Sequence, residues 1–152
     1  MFRGFSNLAL DAKGRLSLPA RYREQVASVC ENCLVVTVNP WDQCLWLYPT
    51  QEWEAAEAKL MGLSDSDKWD RRTKQILRGY ATDCQLDGQG RLLIPPELRE
   101  FAQLDREVAF LGQGNRFEIW NKATWEVRRG EWFDQVERPG SELSGRLREL
   151  SL

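Results

Sequence analysis

The sequence predicts an α+β fold built from two copies of one small unit. Three observations lead there: a ten-residue pattern that occurs twice, flanks that align on both sides of it, and short apolar runs that alternate with helical stripes. The pattern is Leu10-Asp-Ala-Lys-Gly-Arg-Leu-Ser-Leu-Pro19 and Leu86-Asp-Gly-Gln-Gly-Arg-Leu-Leu-Ile-Pro95. Self-similarity of this kind marks a duplicated supersecondary unit. At an offset of 76, Asp11, Gly14, Arg15, Leu16, Pro19, Arg23 and Glu24 coincide with Asp87, Gly90, Arg91, Leu92, Pro95, Arg99 and Glu100. Further on the offset falls to 72, so that Leu45-Trp-Leu-Tyr48 and Trp53 match Phe117-Glu-Ile-Trp120 and Trp125. The first unit therefore carries about four extra residues, around Asn39-Pro40-Trp41-Asp42, where turn-forming residues gather.

Each unit reads as strand, turn, strand, helix, strand, strand, helix. Asp-x-x-Gly is turn chemistry, because Asp bonds the backbone two residues on and Gly accepts a positive φ. Leu16-Ser-Leu18 and Leu92-Leu-Ile94 are short apolar strands. Pro19 and Pro95 suit the first turn of a helix, where a missing N–H costs nothing. Tyr22, Val26 and Val29 form that helix's expected buried stripe. Leu34–Val38 with Cys44–Tyr48 is a hairpin, matched by Val108–Leu111 with Phe117–Trp120, the second closed more tightly by Gly112-Gln-Gly-Asn115.

Each unit then ends in a helix. Thr50 is the expected cap of the first, with Glu52 and Glu54 in its positive first turn and Trp53, Ala56 and Leu60 on one face. Asn121 is the expected cap of the second, with Trp125, Trp132, Phe133 and Val136 inward. Between the units, Ser66 caps a linking helix whose expected buried face is Trp69, Thr73, Ile76, Leu77 and Tyr80. Its other face carries Arg71, Arg72, Lys74 and Arg78. The expected boundaries are 1–64, 65–79 for the linking helix, 80–138, and 139–152 for a short helical tail with Leu143, Leu147 and Leu150 on one side. Both units are expected in one compact fold.

Composition narrows the function. With 42% hydrophobic and 29% charged residues, the 152-residue chain has the balance of a soluble globular protein. No apolar run approaches the roughly 18 residues of a membrane span. The start, Met1-Phe2-Arg3-Gly4, lacks a secretion signal's apolar stretch, so a cytoplasmic location is expected and no membrane partner. Cys30, Cys33, Cys44 and Cys84 are then expected to stay reduced. Cys30-Glu-Asn-Cys33 has the spacing of half a zinc site, but there is no His, and Cys44 and Cys84 fall in different repeats. No metal and no cofactor are expected. The missing His also removes the commonest general base, and no Gly-rich phosphate loop is present.

The net charge of −2 hides an uneven distribution. From Met1 to Arg23, Arg3, Lys13, Arg15, Arg21 and Arg23 face one acid, Asp11, for +4. From Glu24 to Asp70, nine acids face Lys59 and Lys68, for −7. For a nucleic-acid binder the distribution matters more than the net value, and a basic N-terminal face on an otherwise acidic body is the pattern to explain.

Three readings of the repeated Asp-x-x-Gly-Arg compete. In the first, Asp11, Gly14, Asp87 and Gly90 shape turns and the arginines only pair with them. In the second, Lys13 and Arg15 are offered to phosphates or base edges, since the planar guanidinium meets either with two hydrogen bonds. In the third, Asp11 and Asp87 are a carboxylate pair of an acid hydrolase. An Arg four residues after each would hold both ionised, and neither aspartate is followed by Thr-Gly or Ser-Gly. An enzyme is not expected. The second loop offers only Arg91, beside Gly88 and Gln89.

These residues resemble the MraZ family of bacterial transcription regulators, built from two AbrB-like (SpoVT-AbrB) units. The resemblance runs through Met1–Gly4, Leu10–Arg15, Cys44–Pro49, Asp87–Pro95 and Gly112–Trp120. It implies a pseudo-twofold small β-barrel of two interleaved swapped-hairpin βαβ units with peripheral helices, and subunits joined into a closed homo-oligomeric ring. It implies a sequence-specific, nucleoid-associated regulator that binds double-stranded DNA at tandem direct repeats in its own operon promoter, that of the cell-division and cell-wall gene cluster. Arg15 matches the DNA-contacting arginine, with Lys13 beside it, Arg3 in support, and Arg91 in the second motif. The alternative is an AbrB-like antitoxin or protein-binding adaptor, which usually has one such unit and a disordered acidic tail; here there are two, and the tail Ser141–Leu152 is short.

Overall fold

The computed structural model describes all 152 residues, Met1–Leu152. In chain order the elements are β1 (Phe2–Ala9), β2 (Arg15–Ser17), α1 (Ala20–Cys30), β3 (Cys33–Val38), β4 (Leu45–Pro49), α2 (Thr50–Met61), α3 (Lys68–Gly79), β5 (Thr82–Gln85), β6 (Arg91–Leu93), α4 (Pro96–Phe101), β7 (Glu107–Gly114), β8 (Phe117–Asn121), α5 (Lys122–Glu137) and α6 (Glu142–Glu149). The chain divides into two compact units, Met1–Asn121 and Lys122–Leu152.

Both sequence repeats lie in the first unit, and they are interleaved. A six-stranded antiparallel sheet runs β1-β7-β8-β4-β3-β5, and a two-stranded ribbon pairs β2 with β6. The order is a palindrome: exchanging the two repeats turns each strand into its counterpart. β1 of the first repeat pairs with β7 of the second, and β5 of the second pairs with β3 of the first. Alternating strands rich in Val, Leu and aromatics cannot bury both faces within one repeat of this size, so each completes the other's sheet.

The pseudo-twofold axis is visible in the register. Leu16 faces its own counterpart Leu92 across the ribbon, and both are fully buried. Trp46 faces its counterpart Glu118 across β4 and β8. Trp46 Nε1 and Trp120 Nε1 donate to the two Glu118 oxygens at 3.4 and 3.1 Å, which satisfies a carboxylate buried beside the axis. The core around it is aromatic: Phe117 packs on Phe2, Phe110 and Tyr22 with ring centroids 4.1, 4.8 and 4.9 Å apart.

The fold is thus α+β with an antiparallel sheet and six helices, but the strands do not close into the expected barrel. β1 and β5 remain edges of the larger sheet, and three-residue β2 meets β1 only through a single bridge, Leu10 to Leu16. The chain turns too sharply at each Asp-x-x-Gly loop for a continuous ladder to form there.

Several helix faces differ from expectation. In α1 the stripe is Tyr22, Val26 and Cys30, and Val29 is exposed. α1 and α4 start directly after Pro19 and Pro95, which serve as their N-caps. In α2 the expected face holds, with Trp53 buried and Ala56 and Leu60 packed on the core. Thr50 does not cap it; its hydroxyl donates to the Cys33 carbonyl at 2.8 Å. α3 is capped by Asp67 rather than Ser66, the carboxylate accepting from Asp70 N at 2.8 Å. It also turns the other way: Lys74 and Leu77 are buried, while Trp69 and Tyr80 are 70% and 44% exposed. Lys74 is tolerated inside because it pairs with Asp65 and donates to the Leu63 carbonyl.

In the second unit, α5 buries none of its residues, and Trp132 and Phe133, expected inward, are exposed and pack edge-on against each other. Asn121, the expected cap of α5, directs its amide to the Gln103 carbonyl at 2.7 Å. α6 is capped by Ser141, which accepts from Ser144 N at 3.1 Å, and Leu143 and Leu147 are half-buried. No helix is long and apolar enough to cross a membrane.

Candidate functional site

The two Asp-x-x-Gly-Arg loops are near copies in three dimensions. In the first, Asp11 Oδ1 accepts from the Lys13 and Arg15 amides, both at 2.9 Å. Arg15 Nε donates to Asp11 Oδ2 at 2.6 Å, and Gly14 N donates to the Asp11 carbonyl at 3.0 Å. In the second, Asp87 Oδ1 accepts from the Gln89 and Arg91 amides at 2.9 and 3.0 Å, and Arg91 Nε donates to Oδ2 at 2.8 Å. Gly14 and Gly90 turn the chain with φ of 81° and 73°, the left-handed region that a side chain disfavours.

The aspartates are acceptors locked in place, not a catalytic pair. Hydrogen bonding from the Arg15 amide holds Asp11 below the ordinary carboxylate range, joined by the Arg15 side chain and the Lys13 amide. Asp87 is lowered in the same way, first by the Arg91 amide. Neither keeps the proton that acid catalysis by a shared pair requires.

The arginines use one nitrogen for this bracing. Nε of Arg15 and of Arg91 is bound to its aspartate, while each side chain stays 28% accessible. The two Nη nitrogens of each are left for an outside acceptor. A guanidinium fixed through Nε presents its fork with little rotamer freedom left to lose, which favours recognition of a phosphate or a guanine edge. Lys13 is exposed at the loop tip, where the second copy has neutral Gln89.

The loops are also tied to each other. Leu18 N donates to the Gly90 carbonyl at 2.9 Å and Ile94 N to the Gly14 carbonyl at 3.0 Å, so each loop is held by the strand of the other repeat. Ribbon register places Ser17 opposite Arg91 and Arg15 opposite Leu93. Both arginines therefore belong to one small ribbon. Arg3 does not join them: it lies near the start of eight-residue β1, about 20 Å of extended chain from the loop. Its carbonyl accepts from Tyr22 Oη at 2.5 Å.

Several other basic residues are engaged inside the chain. Arg21 donates to the Phe5 carbonyl and Ser6 Oγ, Arg78 pairs with Glu57 at 2.8 Å, and Arg71 donates to the Asp65 carbonyl. The basic face of α3 is thus a self-satisfied surface. Of the repeated residues, Arg23 and Arg99 were not singled out as functional from sequence, although their recurrence at the same offset was the available signal; both lie over the loop glycines.

The thiols show no reactive environment. All four cysteines are free. Burial pushes Cys84 up to about 12 and raises Cys30 and Cys44. Cys44 receives a hydrogen bond from Asn39 Nδ2 at 3.2 Å. No group of three or more candidate ligands is placed to hold a metal ion.

The duplicated α+β module thus holds two braced arginine loops on one ribbon, one from each repeat. Comparison with known proteins carries this to a family. The family profile for the MraZ protein, described as antitoxin-like, matches residues 1–76 and again 77–131. The chain is 49% identical to the transcriptional regulator MraZ of Thioalkalivibrio sulfidiphilus and 46% identical to that of Escherichia coli, in each case over all of both chains. It is 45% identical to that of Halorhodospira halophila over the same full extent. The chain belongs to the MraZ family, a family of transcriptional regulators and not of enzymes.

Proposed function

We propose that this chain is a sequence-specific DNA-binding transcriptional regulator that reads double-stranded DNA chiefly through its first loop. The observation that carries this reading is the Arg15 guanidinium, anchored by Nε to Asp11 and partly exposed beside Lys13 in a basic N-terminal segment of +4. Arg91 supplies a weaker second contact, and Arg3 an outlying one. The repeats occupy the proposed boundaries 1–64 and 80–138 within one compact fold, and the protein works without a cofactor in the cytoplasm, on the nucleoid.

One segment of +4 binds DNA weakly, since affinity grows with each phosphate neutralised. Closing copies into a ring multiplies that segment, and a linked array gains through effective concentration. The inequality of the loops gives each subunit a direction along the duplex, which suits tandem direct repeats rather than palindromes. The target is the promoter of its own operon, in the cell-division and cell-wall cluster, as the family resemblance implies. An antitoxin-like or adaptor role has no comparable support in the site.

The test is a titration against the DNA upstream of its own gene, beside a scrambled duplex, at several salt concentrations. Tight, salt-dependent binding that favours the upstream repeats is expected. Absence of binding, or binding indifferent to salt, overturns the reading.

A further inference from the structure

Each loop glycine lies beneath an arginine of the opposite repeat. A Cβ placed on Gly14 would come within 2.5 Å of Arg99 Cζ and Nη1, and one on Gly90 within 2.6 Å of Arg23 Nε. Arg23 and Arg99 are themselves counterparts at the offset of 76. The same packing thus occurs twice in one molecule, reached from opposite sides, which makes it a property of the fold and not of one rotamer. The backbone bonds Leu18 to Gly90 and Ile94 to Gly14 run in the same crossed sense.

We propose that Arg99 and Arg23 are positioning residues, each clamping the loop of the other repeat. The presentation of Arg15 to DNA is then governed by an arginine eighty-four residues away in sequence, in the half with the weaker loop. The clamp works by filling space: the flat guanidinium lies against a backbone with no Cβ, so the loop cannot lift without losing that contact. Removing it lets the Asp11–Arg15 turn shift as a unit while its internal hydrogen bonds survive.

The clamps are unequal in one respect. Arg23 Nε donates to the Leu18 carbonyl at 2.9 Å, whereas Arg99 Nε is buried without a hydrogen-bond partner. Arg99 Nε thus adds no hydrogen bond, and the first loop is held by packing against Arg99 together with the Ile94–Gly14 backbone bond. The bond from Arg23 fixes that guanidinium to its own repeat, so Arg99 is the clamp whose position depends more on its fit against the glycine.

The inference rests on the first loop being the main DNA contact, but it has a test that needs no DNA. In amide NMR spectra of the free protein, Arg99→Ala is expected to move the Gly14 and Arg15 signals and leave Gly90 and Arg91 in place, with Arg23→Ala doing the reverse. Signals that move on the same side as the substitution, or do not move, overturn the clamp. The second arm is a double-mutant cycle on operator binding. Arg99→Ala is expected to weaken binding by about 5- to 100-fold, the scale of one lost specific contact, and to add nothing once Arg15→Ala is present. Additive losses would mean that Arg99 touches DNA itself and would overturn the positioning role. Arg99→Lys, which keeps charge and bulk but not the flat fork, serves the same two arms if the alanine variant does not fold. Operator binding by the wild type alone reports on the functional reading, so the two failures are distinguishable.

Discussion

The first and second loops share a skeleton and differ in what they display. Both use an aspartate to gather two amides and an arginine Nε, both turn on a left-handed glycine, and both lie under a crossed arginine. Yet the tip of one carries Lys13 and the tip of the other Gln89. The geometry is the same in both copies, while the charge at the tip differs. On the proposed function, the shared skeleton serves the fold and the first tip serves recognition.

The largest effect is expected where the two loops differ most. Arg15→Ala should lower operator affinity by about 100-fold or more, because a contact worth roughly 1–3 kcal/mol is lost and the proposed ring repeats that loss in each copy. Arg91→Ala should cost about tenfold or less under the same conditions. Gel-shift or anisotropy titrations at fixed salt check this, and equal losses would break the comparison.

Stability should show the opposite pattern, sameness. Gly14→Ala and Gly90→Ala each force a side chain into the left-handed region and against an arginine. Each should destabilise by about 1–2 kcal/mol in denaturant unfolding, but only Gly14→Ala should also weaken DNA binding markedly. Gln89→Lys tests the comparison by construction. It restores the missing charge and should raise the slope of log affinity against log salt by about 0.9 for each added phosphate contact, if the second loop faces DNA.

The smallest effect concerns pH. Asp11 and Asp87 have folded values held below the ordinary 3.8. Their contribution to stability is therefore complete above that value and lost as pH falls through the lowered one. Carboxyl signals of both aspartates, followed by NMR from pH 6 downward, should titrate late and nearly together. An earlier titration of one would mark that loop as the looser.

The local chemistry of this protein is legible in its sequence, and the non-local chemistry is not. The Asp-x-x-Gly-Arg turns, both hairpins and the duplicated order follow from residue types whose preferences act over four or five positions. Of the six strands read from apolar runs, the ends fall within one or two residues, except β7, which extends from Glu107 to Gly114; β1 and β5 have no such run to mark them. What escapes is decided by contacts that reach beyond four or five positions. Lys74 reads as a surface lysine until Asp65 and the Leu63 carbonyl are seen beside it. Thr50 reads as a cap until the Cys33 carbonyl competes for its hydroxyl. The aromatic residues of α5 carry a core-like pattern without being buried. Arg23 and Arg99 were visible as repeated letters, but their use depends on strands that cross between repeats.

The facing pair Trp46 and Glu118 has a consequence for how the halves recognise each other. At an axis of symmetry a residue meets its own equivalent, so two copies of the second half would bring Glu118 against Glu118 in the interior. Two like charges there, each with only its own Trp120 N–H and neither with the Trp46 indole, are costly to bury. Two copies of the first half would set Trp46 against Trp46 and leave both indole donors without that carboxylate. Only the mixed pairing satisfies both partners. Fragments of this chain, expressed separately, should accordingly seek the unlike half, and the covalent link between them keeps together two pieces that are no longer interchangeable.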